Sequence, residues 1–78
     1  MYLGRMPRWY AVYVTEGNGF YPVEGRIIDT FIFDVEEAEQ TAIRYAETVE
    51  PGENPITVRV GYDHAELGWL VCWNRQVG

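Results

Sequence analysis

The chain has 78 residues, a formal net charge of −6 and 47% hydrophobic residues, including twelve aromatic side chains. This length makes one domain, and so many aromatic residues argue against disorder. The sequence holds no serine, no lysine and a single cysteine, Cys72, which excludes a serine nucleophile, a Schiff-base lysine, a phosphate-loop lysine and an intramolecular disulfide.

Two strands are predicted in the first half of the chain. Residues 8–16, RWYAVYVTE, and residues 26–33, RIIDTFIF, are rich in β-branched and aromatic side chains. The Asn18-Gly19 pair between them is a strong hairpin signal. Pro22 cannot donate to a strand ladder, so we expect the connection to be irregular or to lie at an edge.

A helix is predicted to begin after Asp34 and to end near Glu50. Asp34 is a favourable N-cap residue, and Glu37 stands three residues later in the capping-box pattern. Glu50 precedes Pro51, which disfavours helical geometry. The stripe expected to face the core is mostly small, and it comprises Val35, Ala38, Ala42, Tyr45, Ala46 and Val49.

Two more strands are predicted after the helix. Residues 56–62, ITVRVGY, alternate apolar with other side chains, as a strand with one buried face does. A turn, DHAELG, leads to the fourth strand at residues 69–74, WLVCWN. The order ββαββ predicts an α+β fold, a single small domain with a four-stranded antiparallel sheet and one helix packed on one face.

The net charge of the chain is concentrated around the helix. Residues 33–53 hold seven carboxylates against Arg44 and so carry all six net negative charges. At about 100° per residue, four glutamates lie around one isoleucine, and none has a cation four residues away. We call this group the acidic ridge, and it comprises Glu36, Glu39, Ile43, Glu47 and Glu50.

Two interpretations of the acidic ridge remain open. It is either a solvated helix face that keeps the protein soluble, or a surface complementary to a basic one. A basic surface of that kind is the phosphate-binding groove of a nucleic-acid-binding protein.

Aromatic residues supply a second candidate surface. One helix covers one sheet face, yet alternation puts large apolar side chains on both faces, with Trp69, Val71 and Trp73 expected on the same one. The face away from the helix is then either packed on itself or an interface with a second copy or a partner. Phe20 and Tyr21 at the hairpin tip either form a hook for a partner or fold back as a small core.

Groups with catalytic or metal-binding chemistry are sparse. Asp63, His64 and Glu66 cluster in a turn, but no second ligand group follows at a recognisable spacing. Cys72 lies in an apolar strand, where structural cysteines are usual, so a Cys72–His64 pair is not expected to act as nucleophile and base. We expect a non-enzymatic protein with no catalytic residue, no metal and no cofactor.

Three further expectations concern surroundings and partners. Residues 1–7 are expected to form a flexible or loosely packed N-terminal segment, and they lack the apolar core of a signal peptide. No stretch is apolar for long enough to span a bilayer, so a cytoplasmic protein without membrane contact is predicted. The acidic charge has the wrong sign for direct nucleic-acid binding.

The small size, the acidity, the ββαββ order and the helical segment FDVEEAEQTAIRYAE together resemble small phage-encoded inhibitors of the anti-CRISPR type. The resemblance implies a stoichiometric inhibitor in the host-cell cytoplasm, without a cofactor. It would bind a basic, nucleic-acid-binding surface of a host defence protein, such as a CRISPR effector, and block nucleic-acid access. The expected partner-binding residues are the acidic ridge with Phe20 and Tyr21. The alternative is a homodimeric accessory or small-ligand-binding domain that uses an aromatic sheet face.

Overall fold

The computed structural model describes residues 7–78, so the N-terminal segment predicted at residues 1–7 lies, except for Pro7, outside the described residues. The elements are β1 (Tyr10–Glu16), β2 (Gly25–Ile32), α1 (Val35–Thr48), β3 (Ile56–His64) and β4 (Gly68–Val77), with a 3₁₀ turn, Pro22–Glu24, between β1 and β2. All strand pairs are antiparallel, and the helix packs on one face of the sheet. The predicted α+β ββαββ fold is confirmed.

The strand order in the sheet is β2-β1-β3-β4, so β1 and β3 are central and β2 and β4 are the edges. Six of the seven residues of β1 are buried, because this strand has a neighbour on each side and is covered on both faces. We call the face that carries α1 the helix face and the other the open face.

The main core lies between α1 and the helix face. Val12, Val58 and Val60 are fully buried in the sheet, and Ala38 and Ala42 are fully buried on the helix. The small alanines let the helix backbone approach the sheet closely, while the β-branched valines fill its pleated surface. The small-residue stripe predicted from helical spacing therefore forms this core.

The helix begins where it was predicted to begin, but without the predicted capping hydrogen bond. Asp34 is the N-cap residue, yet its side chain accepts no hydrogen bond from the first turn. The first helical contact is the backbone bond from the Ala38 N–H to the Asp34 carbonyl, at 3.0 Å. The capping-box expectation for Asp34 is thus wrong at the level of the side chain.

A β-bulge in β4 decides which face the last tryptophan occupies. Val60 pairs with Trp73 while the following residue of β3 pairs with Val71, so Cys72 is an extra residue in the strand. Trp73 therefore packs against the helix-face core. The expectation that Trp69, Val71 and Trp73 share one face is wrong for Trp73, because the bulge interrupts the two-residue alternation.

A second, smaller core lies on the open face. Tyr13 is fully buried there, and its hydroxyl donates to the Phe20 carbonyl at 2.7 Å and accepts from Trp69 Nε1 at 2.9 Å. Arg59 Nη2 donates to the Gly19 carbonyl at 3.1 Å. These contacts fold the connection between β1 and β2 back over the open face.

Gly61 in β3 provides the space in which the Trp69 indole lies. A Cβ at this position would approach the indole ring to 2.6 Å. We expect Gly61→Ala to displace the ring, to weaken its hydrogen bond to Tyr13 and to lower the free energy of unfolding by about 1–3 kcal/mol. Urea unfolding measures the stability, and the NMR shift of the Trp69 indole N–H measures the displacement. An unchanged indole signal would contradict this role of Gly61.

Candidate functional site

Glu36, Glu39, Ile43 and Glu47 of the acidic ridge lie on one flank of α1 and not along its most exposed line. The expectation that Glu50 belongs to the same helix face is wrong, because α1 ends at Thr48 and the chain is extended at Val49. Glu36, Glu47 and Glu50 are exposed, whereas Glu39 and Ile43 are half-buried. The ridge thus has charged ends in solvent and a partly covered middle in which an apolar side chain is still reachable.

The contact of Tyr45 with β2 shows which edge of the sheet the ridge faces. Arg26 of β2 donates through Nη2 to the Tyr45 hydroxyl at 2.7 Å, so the Tyr45 flank faces β2. Ile43 lies two residues earlier, about 160° around the helix at about 100° per residue, and so on the flank towards β4. Burial raises the pKa of the Cys72 thiol in β4, and the nearby charge of Glu39 raises this pKa further.

The charges of the ridge do not follow the pattern that stabilises an isolated helix. Arg44 is the one cation in the α1 sequence, and its Nη2 lies 3.5 Å from Thr41 Oγ1. Within α1 the ridge contains one like-charge pair spaced three residues apart, Glu36 and Glu39, which costs about 0.2–0.5 kcal/mol. Glu47 stands in the last turn of the helix, where its dipole disfavours negative charge, and Glu50 lies beyond the helix end at Thr48.

Phe20 and Tyr21 lie over the open face, on the other side of the sheet from the acidic ridge. Their side chains are 37% and 50% exposed, with ring centroids 5.0 Å apart. The Arg59 guanidinium lies over the Phe20 ring, 5.4 Å from its centroid. The connection folds back over the open face, and the expectation that the two exposed side chains contact a partner stays a prediction. The structure does not bring these two residues together with the ridge.

Glu24 fastens the same connection through its carboxylate. Oε1 accepts the backbone N–H groups of Tyr21, at 2.9 Å, and of Phe20, at 3.1 Å. These two hydrogen bonds lower the pKa of Glu24, and the bond from the Tyr21 N–H has the larger effect. The carboxylate therefore stabilises the folded connection above its unfolded pKa, and this contribution is lost as the pH falls through the lower folded pKa.

We accordingly expect acid to release the connection at Glu24. The amide NMR signals of Phe20 and Tyr21 should titrate in the parent with an apparent pKa below that of an ordinary glutamate. In Glu24→Gln they should not titrate over that range, because the amide side chain carries no ionisable group. If the two amide signals titrate in the same way in Glu24→Gln, a group other than Glu24 causes the titration.

A row of aromatic rings occupies the uncovered part of the open face. The Phe31 and Trp9 ring centroids are 4.9 Å apart, and those of Trp9 and Trp69 are 6.5 Å apart. Phe31 is 62% exposed, and Ile27, which pairs with Tyr13, is 52% exposed. We call Trp9, Phe31 and Trp69 the aromatic row. The exposure of Ile27 and Phe31 could not be predicted, because nothing in the sequence signals the two register shifts between β1 and β2.

His64 and Cys72 each make contacts that have a structural role. Nδ1 of His64 accepts the backbone N–H groups of Glu66 and Leu67, both at 3.1 Å, and so closes the turn between β3 and β4. The Cys72 thiol donates to the Val60 carbonyl at 3.6 Å, and its raised pKa keeps it protonated near neutral pH. Within residues 7–78 no three His, Cys, Asp or Glu side chains are gathered to hold a metal ion.

In the described part of the chain, α1 is too short and too polar to cross a membrane, and no other helix there qualifies. No protein-family model, curated protein or solved structure matches this chain. Its function is therefore inferred from its own residues.

Proposed function

We propose that this protein is a non-enzymatic inhibitor whose acidic ridge occupies the basic, nucleic-acid-binding surface of a partner protein. The observation that carries the proposal is the concentration of charge. Residues 33–53 hold the whole net charge of −6, and the ridge presents three of their carboxylates on one flank of α1, with Glu50 two residues beyond the helix end. From Glu36 to Glu47 the helical part of the ridge is about 16 Å long at 1.5 Å per residue. That length spans about five phosphates at 3.4 Å along one nucleic-acid strand.

The packing of α1 supports an external role for these glutamates. The helix is held to the sheet by its alanines and by Tyr45, so the ridge carboxylates are not needed for the core. Their mutual repulsion is slightly unfavourable in the free protein, and a basic partner would relieve it. Half-buried Ile43 would add a small apolar contact among the charge pairs.

Two features support the class of partner. They are the negative charge of the acidic ridge and the resemblance of the chain to anti-CRISPR proteins in size, acidity and layout. A protein whose surface is built to hold phosphates, such as a CRISPR effector or another host defence protein, offers arginines and lysines at this spacing. Long-range attraction would speed the encounter, and contact between ridge and groove would exclude nucleic acid.

A protein-capture experiment tests the proposal by comparing the partners retained by the parent with those retained by two variants of equal charge. The ridge variant changes Glu36, Glu39, Glu47 and Glu50 to glutamine. The control variant changes four exposed acids elsewhere, Glu16, Glu53 and Glu66 to glutamine and Asp63 to asparagine. Each change removes four negative charges and takes the net charge from −6 to −2. We expect a nucleic-acid-binding protein to be retained by the parent and the control but not by the ridge variant. Equal retention by all three would contradict the proposal.

The aromatic row favours a second candidate function, a homodimeric accessory or small-ligand-binding domain. An exposed phenylalanine stacked on a tryptophan is a surface that association would cover. Sedimentation over a wide concentration range should then show a dimer that Phe31→Thr dissociates. If the protein sediments as a monomer at every concentration, the acidic ridge is the better-supported binding surface.

A further inference from the structure

Strand β4 presents a free edge beside the acidic ridge. It is ten residues long and the last strand in the sheet, so its outer backbone groups face no strand of the described chain. Its residues, 68–77, include no proline, although the bulge at Cys72 and the charged side chain of Arg75 give the edge some protection. The regular parts of the edge on either side of the bulge are a template for a further strand.

The other edge strand, β2, is a poorer template. It has eight residues, and its pairing with β1 is interrupted by two register shifts. Phe31 within it adopts φ 55°, in the left-handed region, which twists the edge away from regular geometry. Strand β4 has one register shift, at Cys72.

Charge complementarity indicates which kind of strand β4 would accept. The ridge flank of α1 faces β4, as the Arg26–Tyr45 bond on the opposite flank requires. Alternate side chains of a strand added beyond β4 would point to the helix face, about 6.6 Å apart. Over the helical part of the ridge, about 16 Å long, two or three such side chains would lie beside its carboxylates.

We propose that β4 binds an extended basic segment of the partner by strand addition, with every second residue an arginine or lysine directed at the acidic ridge. This inference rests on the proposed function and names the part of the partner that the ridge recognises. Backbone hydrogen bonds to β4 fix the register, and the carboxylates of Glu36, Glu39 and Glu47 select basic side chains.

Two synthetic peptides of equal charge test strand addition. The probe is a ten-residue peptide alternating arginine with valine, and its control alternates arginine with proline. Both carry five positive charges, but every second residue of the proline peptide lacks an N–H group and has φ fixed at about −65°, away from regular β geometry. We expect the valine peptide to bind at least tenfold more tightly and to slow hydrogen exchange at β4 amides while β2 amides are unchanged.

The outcomes separate this inference from the proposed function. If the parent binds both peptides with equal affinity and the four-glutamine ridge variant binds neither, strand addition is overturned. The acidic ridge then remains a charge-binding surface. Binding that the ridge variant does not weaken would overturn both. Protection of β2 amides, no binding of the valine peptide, or concentration-dependent protection of β4 without peptide would each overturn the assignment of β4. The last result would show that β4 pairs with a second copy.

Discussion

Replacing Tyr13 by alanine is expected to lower the free energy of unfolding by about 3–5 kcal/mol. The ring is fully buried on the central strand β1, beneath Trp69 and the folded-back connection. Its removal leaves a cavity and separates both covering groups from the sheet. Because small domains are stable by only about 5–15 kcal/mol, this change would remove a large part of the total. Urea unfolding measures the effect, with exposed Tyr21→Phe as the control.

Tyr13→Phe isolates the contribution of the hydroxyl. The ring stays, but the Phe20 carbonyl and Trp69 Nε1 lose their partner, at a cost of about 1–3 kcal/mol. Burial raises the pKa of Tyr13 above its ordinary 10.0, although the hydrogen bond from Trp69 opposes the shift. The stability that comes from the protonated hydroxyl is therefore fully present below the unfolded pKa and lost as the pH rises through the higher folded pKa.

A pH series of unfolding experiments checks this linkage. Between neutral and strongly alkaline pH the parent should lose more stability than Tyr13→Phe, because the phenylalanine has no proton to release. Equal alkaline losses in the two proteins would show that another group dominates.

The four-glutamine ridge variant has the largest expected effect on binding. Glutamine keeps the size and helix propensity of glutamate but removes the like-charge pair of Glu36 and Glu39, so the variant should be at least as stable as the parent. Loss of electrostatic steering should lower the association rate with a basic partner by about 10- to 1,000-fold at low salt. The control variant of equal net charge should keep most of the parent rate, because its charges lie away from the contact.

Salt provides the second measurement of the same effect. The parent's association rate should fall as the screening length drops below about 10 Å near 0.1 M salt. The ridge variant should show a much flatter dependence. Similar rates and similar salt dependence for the parent and the ridge variant would mean that the ridge is a solvated face.

The elements that local pattern determines could be predicted from the sequence. The alanine stripe follows from a 3.6-residue period, and Pro51 marks the helix end to within two residues of Thr48. Strand β4 runs to Val77, three residues beyond the predicted end at Asn74, and the added part includes the polar residues Arg75 and Gln76. They belong to a strand because they lie at an exposed edge, where polar side chains are tolerated.

The features that long-range contacts determine could not be predicted. The bulge at Cys72 inserts one residue without a sequence signature, and it carries Trp73 to the helix face. The burial of Tyr13 depends on a loop whose path is fixed by bonds to residues 7 and 56 positions away in sequence. Gly61 did offer a signal, because a glycine inside a strand often marks a close approach by another group.

The site was predicted in part. Glu36, Glu39, Ile43 and Glu47 share one flank of α1, as the helical spacing requires, but Glu50 does not, because the helix ends at Thr48. The half-burial of Glu39 and Ile43 depends on where α1 lies across the sheet. That placement follows from the Arg26–Tyr45 contact, which joins residues 19 positions apart. The separation of Phe20 and Tyr21 from the ridge likewise depends on the path of the hairpin connection.

Nucleic-acid displacement tests the central claim most directly. The partner retained in the capture experiment is loaded with a fluorescent nucleic acid, and the parent, the ridge variant and the equal-charge control are titrated into the complex. We expect the parent and the control to displace the nucleic acid at a one-to-one ratio, and the ridge variant to leave it bound. A partner that binds the parent while holding its nucleic acid with unchanged affinity would contradict the claim that the acidic ridge occupies that surface.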